Sequence, residues 1–185
     1  MSGKSKVTKT SNHWSHGLIK SLENPDLKVY EDELVTVIKD VYPKATFHYL
    51  VCPKADIKSL KDIKQAHLSL LQHMTEVGEK IAEKHEGNKF LIGYHAIPSM
   101  IRLHLHVISD DFNSPSLKSK KHWNSFNTDF FISSESLISQ LESGKIKQMS
   151  SLKAKELLNM DLKCHKCDYK PKNMPDLKKH ILKHL

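Results

Sequence analysis

No stretch of this sequence is apolar for long enough to cross a bilayer, and the opening residues Met1-Ser2-Gly3-Lys4-Ser5-Lys6 lack the hydrophobic core of a secretory signal. The expectation is an intracellular protein with no membrane partner. Cysteine is scarce: Cys164 and Cys167 form one tight pair, and the third, Cys52, stands alone in an apolar segment. That usage argues against a disulfide framework and makes Cys52 a buried core thiol. Carboxylates are also short, with 21 Asp and Glu against 29 Lys and Arg, so the formal charge is +8. Such a surplus suits a polyanionic partner, nucleic acid or an anionic surface, without choosing between them.

What is present fits one ordinary domain and a small module: 185 residues, 38% of them hydrophobic, can bury a packed core. Residues 1–12 are polar, basic and aperiodic, and read as a mobile arm. Trp14, Leu18 and Leu22 share a helical spacing, so a short amphipathic helix begins there. Residues 34–40 and 46–51 read as strands of an antiparallel hairpin turning at Tyr42-Pro43-Lys44. From Ile57 to about Glu86 the apolar residues follow a helical period, two more strands fall at 90–94 and 103–108, and a further helix fits within 133–144. The sum is an α+β domain over 13–145, an antiparallel sheet with packed helices. Residues 146–162 form a connection into a terminal module at 163–185.

The most informative segment is Leu103-His104-Leu105-His106-Val107, because strand alternation puts both imidazoles on one face and the aliphatic residues on the other. Upstream, Gly93-Tyr94-His95-Ala96-Ile97-Pro98-Ser99 adds a third histidine and a Pro-Ser turn. Folded back at Pro98, the chain brings His95, Ser99, His104 and His106 around one pocket. Neutral histidines there suit phosphorus chemistry, in which a ring nitrogen attacks a phosphoryl group and a phosphoramidate forms. Two histidines on one strand face can also be metal ligands, but no carboxylate or cysteine is close in sequence to complete a set, and the metal reading ranks lower.

Cys164 and Cys167 are followed by twelve residues, then His180, three residues, and His184. This is the spacing of a C2H2 zinc finger, two thiolates from a turn and two imidazoles one helical turn apart. Leu177 matches the hydrophobe under such a helix. Where an aromatic usually follows the second cysteine stands Pro171, with Tyr169 two residues earlier, so an atypical hairpin is expected. Seven lysines between Lys163 and Lys183 suit phosphate contacts. A single finger reads only about three base pairs, and holding DNA suits it better than reading it.

These residues carry a resemblance. The alternation at 103–108 is similar to the motif of the histidine-triad nucleotide hydrolases and transferases. The signatures at 38–45, 93–100 and 114–126, with the finger behind them, resemble the aprataxin branch of that family. The resemblance implies a histidine-triad fold and hydrolysis of AMP from 5′-adenylated DNA ends left by abortive ligation. It implies His104 as the nucleophile, His106 as a hydrogen bond to the phosphate, and His95 orienting or protonating the departing DNA phosphate. It places Asp40, Ser99 and Leu18 at the nucleotide, and Trp14, Lys54, Asn113, Ser114, Lys121 and His122 on DNA. Cys164, Cys167, His180 and His184 would hold one structural zinc, with no catalytic metal. Nicked or damaged DNA would be the partner, AMP the product and the nucleus the location.

The sequence departs from the family in two ways. Arg102 stands where the triad has its first histidine, which could disturb the surroundings of His104 or supply a guanidinium to phosphate. No forkhead-associated domain for phosphopeptide partners is expected. Two other readings remain open at this point: a histidine-triad enzyme for small nucleotides such as adenosine phosphoramidates or dinucleoside polyphosphates, and a non-catalytic DNA-end binding module.

Overall fold

In the computed structural model, residues 17–185 are described. The proposed arm at 1–12 and Trp14 lie outside them. The chain runs α1 (Gly17–Glu23), β1 (Lys28–Glu31), β2 (Val35–Lys39), β3 (His48–Pro53), α2 (Leu68–Glu83), β4 (Phe90–His95), β5 (Leu105–Ser109), α3 (Lys120–Asn127), β6 (Phe131–Ser133), α4 (Ser134–Glu142), α5 (Ser151–Leu158) and α6 (Met174–Ile181). The six strands form one sheet in the order β1-β2-β3-β5-β4-β6, and every adjacent pair is antiparallel. Among the described residues, no helix is long and apolar enough to cross a membrane.

Period-two alternation divides the sheet between two layers. Val35, Val37, Tyr49, Val51, Leu105 and Val107 point to one face and pack with Leu71, Met74, Val77 and Ile81 of α2 and with Leu137 and Leu141 of α4. Gly78 lets α2 approach closely, since a Cβ there would lie 2.9 Å from a Val107 methyl. The opposite face carries His48, Leu50, His106 and Ile108, paired across β3 and β5 as His48↔Ile108 and Leu50↔His106.

Several elements differ from the sequence expectation. The helix expected from Ile57 starts only at Leu68, after short 3-10 turns at Leu60–Asp62 and Gln65–His67. The cause is tertiary: the carbonyls of Ile57 and Lys58 accept the N–H groups of Leu103 (2.8 Å) and Arg102 (3.1 Å), which holds that backbone out of a helix. The same bonds draw residues 102–103 away from β3, so β5 begins at Leu105 rather than Leu103. β1, β6, α3 and α5 were not expected. β1 is a largely exposed edge strand and β6 spans three residues, too little pattern to read.

The connection holds α5, whose Ala154 and Leu157 bury against Phe130. The terminal module shares a core with the sheet: Leu162, Cys164, Leu177 and Ile181 pack with Ile108, Phe112, Leu117, Trp123 and Phe126. Trp123 Nε1–H donates to Lys163 O at 3.0 Å, and His165 Nε2–H to Asp110 O at 2.7 Å, just past β5.

Candidate active site and zinc centre

A cavity of about 560 Å³ opens over the second face of the sheet, and its lining includes His48, His95, His104, His106 and Ser99. The fold-back at Pro98 therefore brings together the four residues that the sequence grouped. His48 was missed. Its signal lay in the strand at 46–51, where His48, Leu50 and Cys52 alternate on one face. The imidazole centroids of His95 and His104 lie 4.3 and 4.8 Å from that of His106, and His48 lies 5.2 Å from it. Phe126 of α3 packs against the rings of His48, His95 and His106.

The hydrogen bonds fix the tautomers. Lys44 N–H donates to His48 Nδ1 at 3.2 Å, so His48 carries its proton on Nε2 and donates it to His106 Nδ1 at 3.0 Å. His106 then holds its own proton on Nε2, a buried atom without a partner among the described residues. His104 Nδ1–H donates to the carbonyl of Arg102 at 2.9 Å, and a carbonyl only accepts, so Nε2 of His104 keeps its lone pair. His95 Nε2 is likewise buried and without a partner among the described residues.

Burial keeps this cluster neutral. It pushes His48 down to about 4, outweighing the Asp40 carboxylate 3.4 Å away, and it lowers His104 despite the bond to Arg102 O. His95 and His106 are held well below the ordinary histidine range by burial and then by their neighbouring imidazoles. Burial also pushes the Cys52 thiol up to about 12, which leaves it an inert core group as expected.

Basic side chains ring the mouth. Lys44, Lys118, Lys121 and His122 line the cavity, as does Ser119, whose Oγ caps α3 by accepting His122 N–H at 3.2 Å. Burial lowers both Lys44 and His122. Asp40 also lines the cavity, with one oxygen accepting Tyr42 N–H at 2.8 Å. Leu18 is buried and clusters with Ile38, Leu50 and Cys52, with Met100 packed against them, and it is not among the residues lining the cavity.

The remaining expected DNA contacts lie elsewhere. Asn113 is exposed, with its N–H bound to Asp111. Ser114 is buried and its hydroxyl donates to Pro43 O, which joins two loops. Lys54 is exposed, away from the cavity, and pairs with Glu31 at 3.3 Å. The Arg102 guanidinium does not enter the cavity either; it turns back onto the carbonyls of Pro53 and Lys54.

Two groups could hold a metal ion among the described residues. Asp40, His48 and His106 form one, the carboxylate arriving from the end of β2 rather than from nearby sequence. Both nitrogens of His48 and Nδ1 of His106 are already engaged, by Lys44 N–H and by each other, which leaves only His106 Nε2 unbonded. The other is Cys164, Cys167, His180 and His184. Cys167 Sγ lies 3.1 Å from His180 Nε2 and 3.5 Å from His184 Nε2, Cys164 Sγ lies 3.5 Å from His184 Nε2, and the two Nε2 atoms are 3.2 Å apart. A zinc tetrahedron built from ordinary bond lengths has S···N edges of about 3.6 Å and an N···N edge of about 3.3 Å. The donor set fits zinc with all four positions filled by protein. No strand forms in the finger. Instead Tyr169 stacks on His180 with centroids 4.0 Å apart, its hydroxyl donates to Asp176 at 2.9 Å, and Cys164 N–H donates to Tyr169 O.

A larger groove of about 980 Å³ runs beside β6 and residues 147–150, but it is lined by Glu79, Asp129, Glu135, Lys147 and Lys153 with no imidazole or thiol.

Residues 13–122 match the family model described as scavenger mRNA decapping enzyme C-term binding, and residues 127–185 match the C2HE / C2H2 / C2HC zinc-binding finger. The chain is 50% identical to aprataxin of Gallus gallus over 175 residues, covering 93% of this chain and 55% of that protein. It is 48% identical to aprataxin of Danio rerio, covering 96% and 56%. With the aprataxin-like protein of Saccharomyces cerevisiae the identity is 33%, covering 85% and 87%. The chain thus spans about half the length of the Gallus gallus, Ciona intestinalis and Danio rerio aprataxins it matches. The crystal structure of the aprataxin ortholog Hnt3 in complex with DNA superposes with a TM-score of 0.73 at 26% identity, covering 90% of each chain.

Proposed function

Because this chain belongs to the aprataxin family of histidine-triad proteins, with its zinc finger, we propose that it is a DNA-processing hydrolase that removes AMP from 5′-adenylated DNA ends. The observation that carries this reading is the free Nε2 lone pair of His104, aimed into a cation-rimmed cavity while Nδ1 is held by a carbonyl. Nε2 attacks the adenylate phosphorus; a P–N bond forms, the bond to the bridging oxygen breaks, and DNA leaves with a 5′-phosphate. The imidazolium so formed shares its Nδ1 proton with Arg102 O. Water then attacks the adenylyl phosphorus; a P–O bond forms, the P–N bond breaks, the water proton passes to solvent, and AMP and neutral His104 are released.

The other groups stabilise charge rather than react. His106 Nε2–H is preorganised by His48 to donate to a non-bridging oxygen. His95, neutral and unpartnered at Nε2, stands to orient or protonate the departing phosphate. Lys44, Lys118, Lys121 and the first turn of α3 offset the charge of the leaving phosphate and the duplex end. Asp40, on the cavity wall, would accept the ribose hydroxyls. A phosphate departs readily, so this apparatus needs no catalytic metal.

DNA as the partner is supported by the excess of basic residues and by likeness to a relative crystallised with DNA. Zinc in the finger would supply a cross-link and no reaction step. A nuclear location follows from this substrate.

Incubation of the purified protein with a 5′-adenylated nicked duplex tests the reading. Release of AMP and 5′-phosphorylated DNA is expected, surviving brief EDTA and lost in His104→Ala. Tight DNA binding without turnover would reduce the protein to an end-binding module, and turnover of adenosine phosphoramidate alone would make it a small-nucleotide enzyme.

A further inference from the structure

Arg102 has a φ of 105°, a left-handed conformation that side chains disfavour, and among the described non-glycine residues only Phe112 shares a positive φ. The strain is located at the residue whose carbonyl meets the nucleophile. On its N-terminal side Arg102 N–H donates to Lys58 O at 3.1 Å, and the following Leu103 N–H donates to Ile57 O at 2.8 Å. Its side chain reaches back across the end of β3. Nε and Nη2 donate to Pro53 O at 3.3 and 3.0 Å, and Nη2 also donates to Lys54 O at 2.9 Å.

β3 and β5 part company here. Val51↔Leu105 is the last pair of their ladder, and beyond it the carbonyls of Pro53 and Lys54 are bound by a guanidinium. The planar, forked donor spans two successive carbonyls, which a lysine ammonium cannot reproduce. Arg102 is therefore tied at both ends, by its backbone to residues 57–58 and by its side chain to residues 53–54. Between those ties its carbonyl is turned onto His104 Nδ1.

We propose that Arg102 is a positioning residue for His104: its guanidinium clamp on β3 holds the strained turn whose carbonyl fixes the nucleophile as the Nδ1–H tautomer, with Nε2 free. The proposal rests on the reading of His104 as nucleophile. Without the clamp, the turn relaxes toward negative φ and the carbonyl swings away from the ring. Both tautomers of His104 then become accessible, and only one carries a lone pair at Nε2. The residue acts through backbone geometry and touches no substrate, because the guanidinium lies outside the cavity lining. Arginine at this position thus maintains the nucleophile from behind the strand.

The test uses the full-length, zinc-loaded protein with 15N-labelled histidine. The His104 imidazole signals are assigned by their loss in His104→Ala, and kcat and KM are measured on 5′-adenylated DNA. In the unaltered protein His104 is expected as the Nδ1–H tautomer. Arg102→Ala is expected to show mixed tautomers and a kcat about ten- to a hundredfold lower with KM little changed, as for loss of other groups that orient a reacting side chain. Free guanidinium at millimolar concentration is expected to restore both the tautomer and kcat of that variant. Arg102→Lys, which keeps charge and bulk, is read if the alanine variant does not fold, and should fall between the two.

An unchanged His104 tautomer in Arg102→Ala, whatever its rate, overturns the proposal, as does a lysine variant equal to the unaltered protein. If the unaltered protein releases no AMP from DNA while the tautomer shift and its rescue hold, the proposed function fails and the clamp stands. If it is active and the tautomer is indifferent to Arg102, only the clamp is removed.

Discussion

His48 Nε2 lies 3.0 Å from His106 Nδ1, and the direction of that bond is set from outside the pair by Lys44 N–H on the far nitrogen of His48. The proton on His106 Nε2 is thereby aimed into the cavity. Substituting His48→Ala leaves His106 free to take either tautomer and leaves its Nδ1 buried without a partner. The expected result is a fall in kcat of about ten- to a hundredfold at similar KM. His48→Gln, whose amide can donate to His106, should retain more. Steady-state kinetics of both variants on adenylated DNA would check the order, and an alanine variant as active as the unaltered protein would remove His48 from the relay.

The buried imidazoles make stability depend on pH. His48 has its pKa pushed to about 4 by burial, against about 6.5 in an unfolded chain. Above 6.5 it is neutral in both states. As pH falls from 6.5 toward 4 the unfolded chain takes up the proton and the folded protein does not, so roughly 3 kcal/mol of stability is lost over that window. His95, His104 and His106, also lowered by burial, add in the same direction. Urea unfolding at pH 7.5, 6 and 5 should show a shallower pH dependence in His48→Gln. Zinc release affects both proteins alike, so equal slopes would count against the assignment.

Zinc removal should be felt beyond the finger. Trp123 is buried in a core that includes Cys164, Leu177 and Ile181, and its Nε1–H is bound to Lys163 O. Chelation, or Cys167→Ser, is expected to open the finger, redden Trp123 emission in a Trp14→Phe background, and lower the melting temperature of the whole protein. Emission unchanged on loss of zinc would mean that this core holds without the metal.

Gly93 is paired with His106 on one side and Ser133 on the other. A Cβ there would collide with Ile132 O and lie 2.7 Å from the Phe131 ring, and the backbone of β6 cannot yield as a side-chain tip can. Gly93→Ala should destabilise by about 1–3 kcal/mol or more, as overpacking does. It should also displace β6 from β4, seen as faster amide exchange at residues 131–133. A neutral substitution would show that β6 can move away without loss.

The extent to which this molecule was legible varied with the range of the interactions concerned. The hairpin of β2 and β3 and the strand β4 were readable because apolar residues, alternation and turn chemistry are local. The start of α2 and the start of β5 were misplaced for one shared reason, the bonds from Leu103 and Arg102 to Ile57 and Lys58, which join segments more than forty residues apart. Arg102 itself was read as a departure from a motif. Its bonds to Pro53 and Lys54 give its side chain a part in the fold.

By itself the sequence determined which residues would stand together: a pair of histidines on alternate strand positions, a third histidine before a Pro-Ser turn, and four side chains at the spacing of a zinc finger. Such patterns survive in one dimension because strand and helix periods set which neighbours share a face. Tertiary structure alone decided which nitrogen of each imidazole is free, that burial keeps all four rings neutral, and that the finger shares a core with the sheet. Tautomer and pKa are properties of surroundings, supplied here by Lys44, Arg102 and Phe126 from three separate parts of the chain.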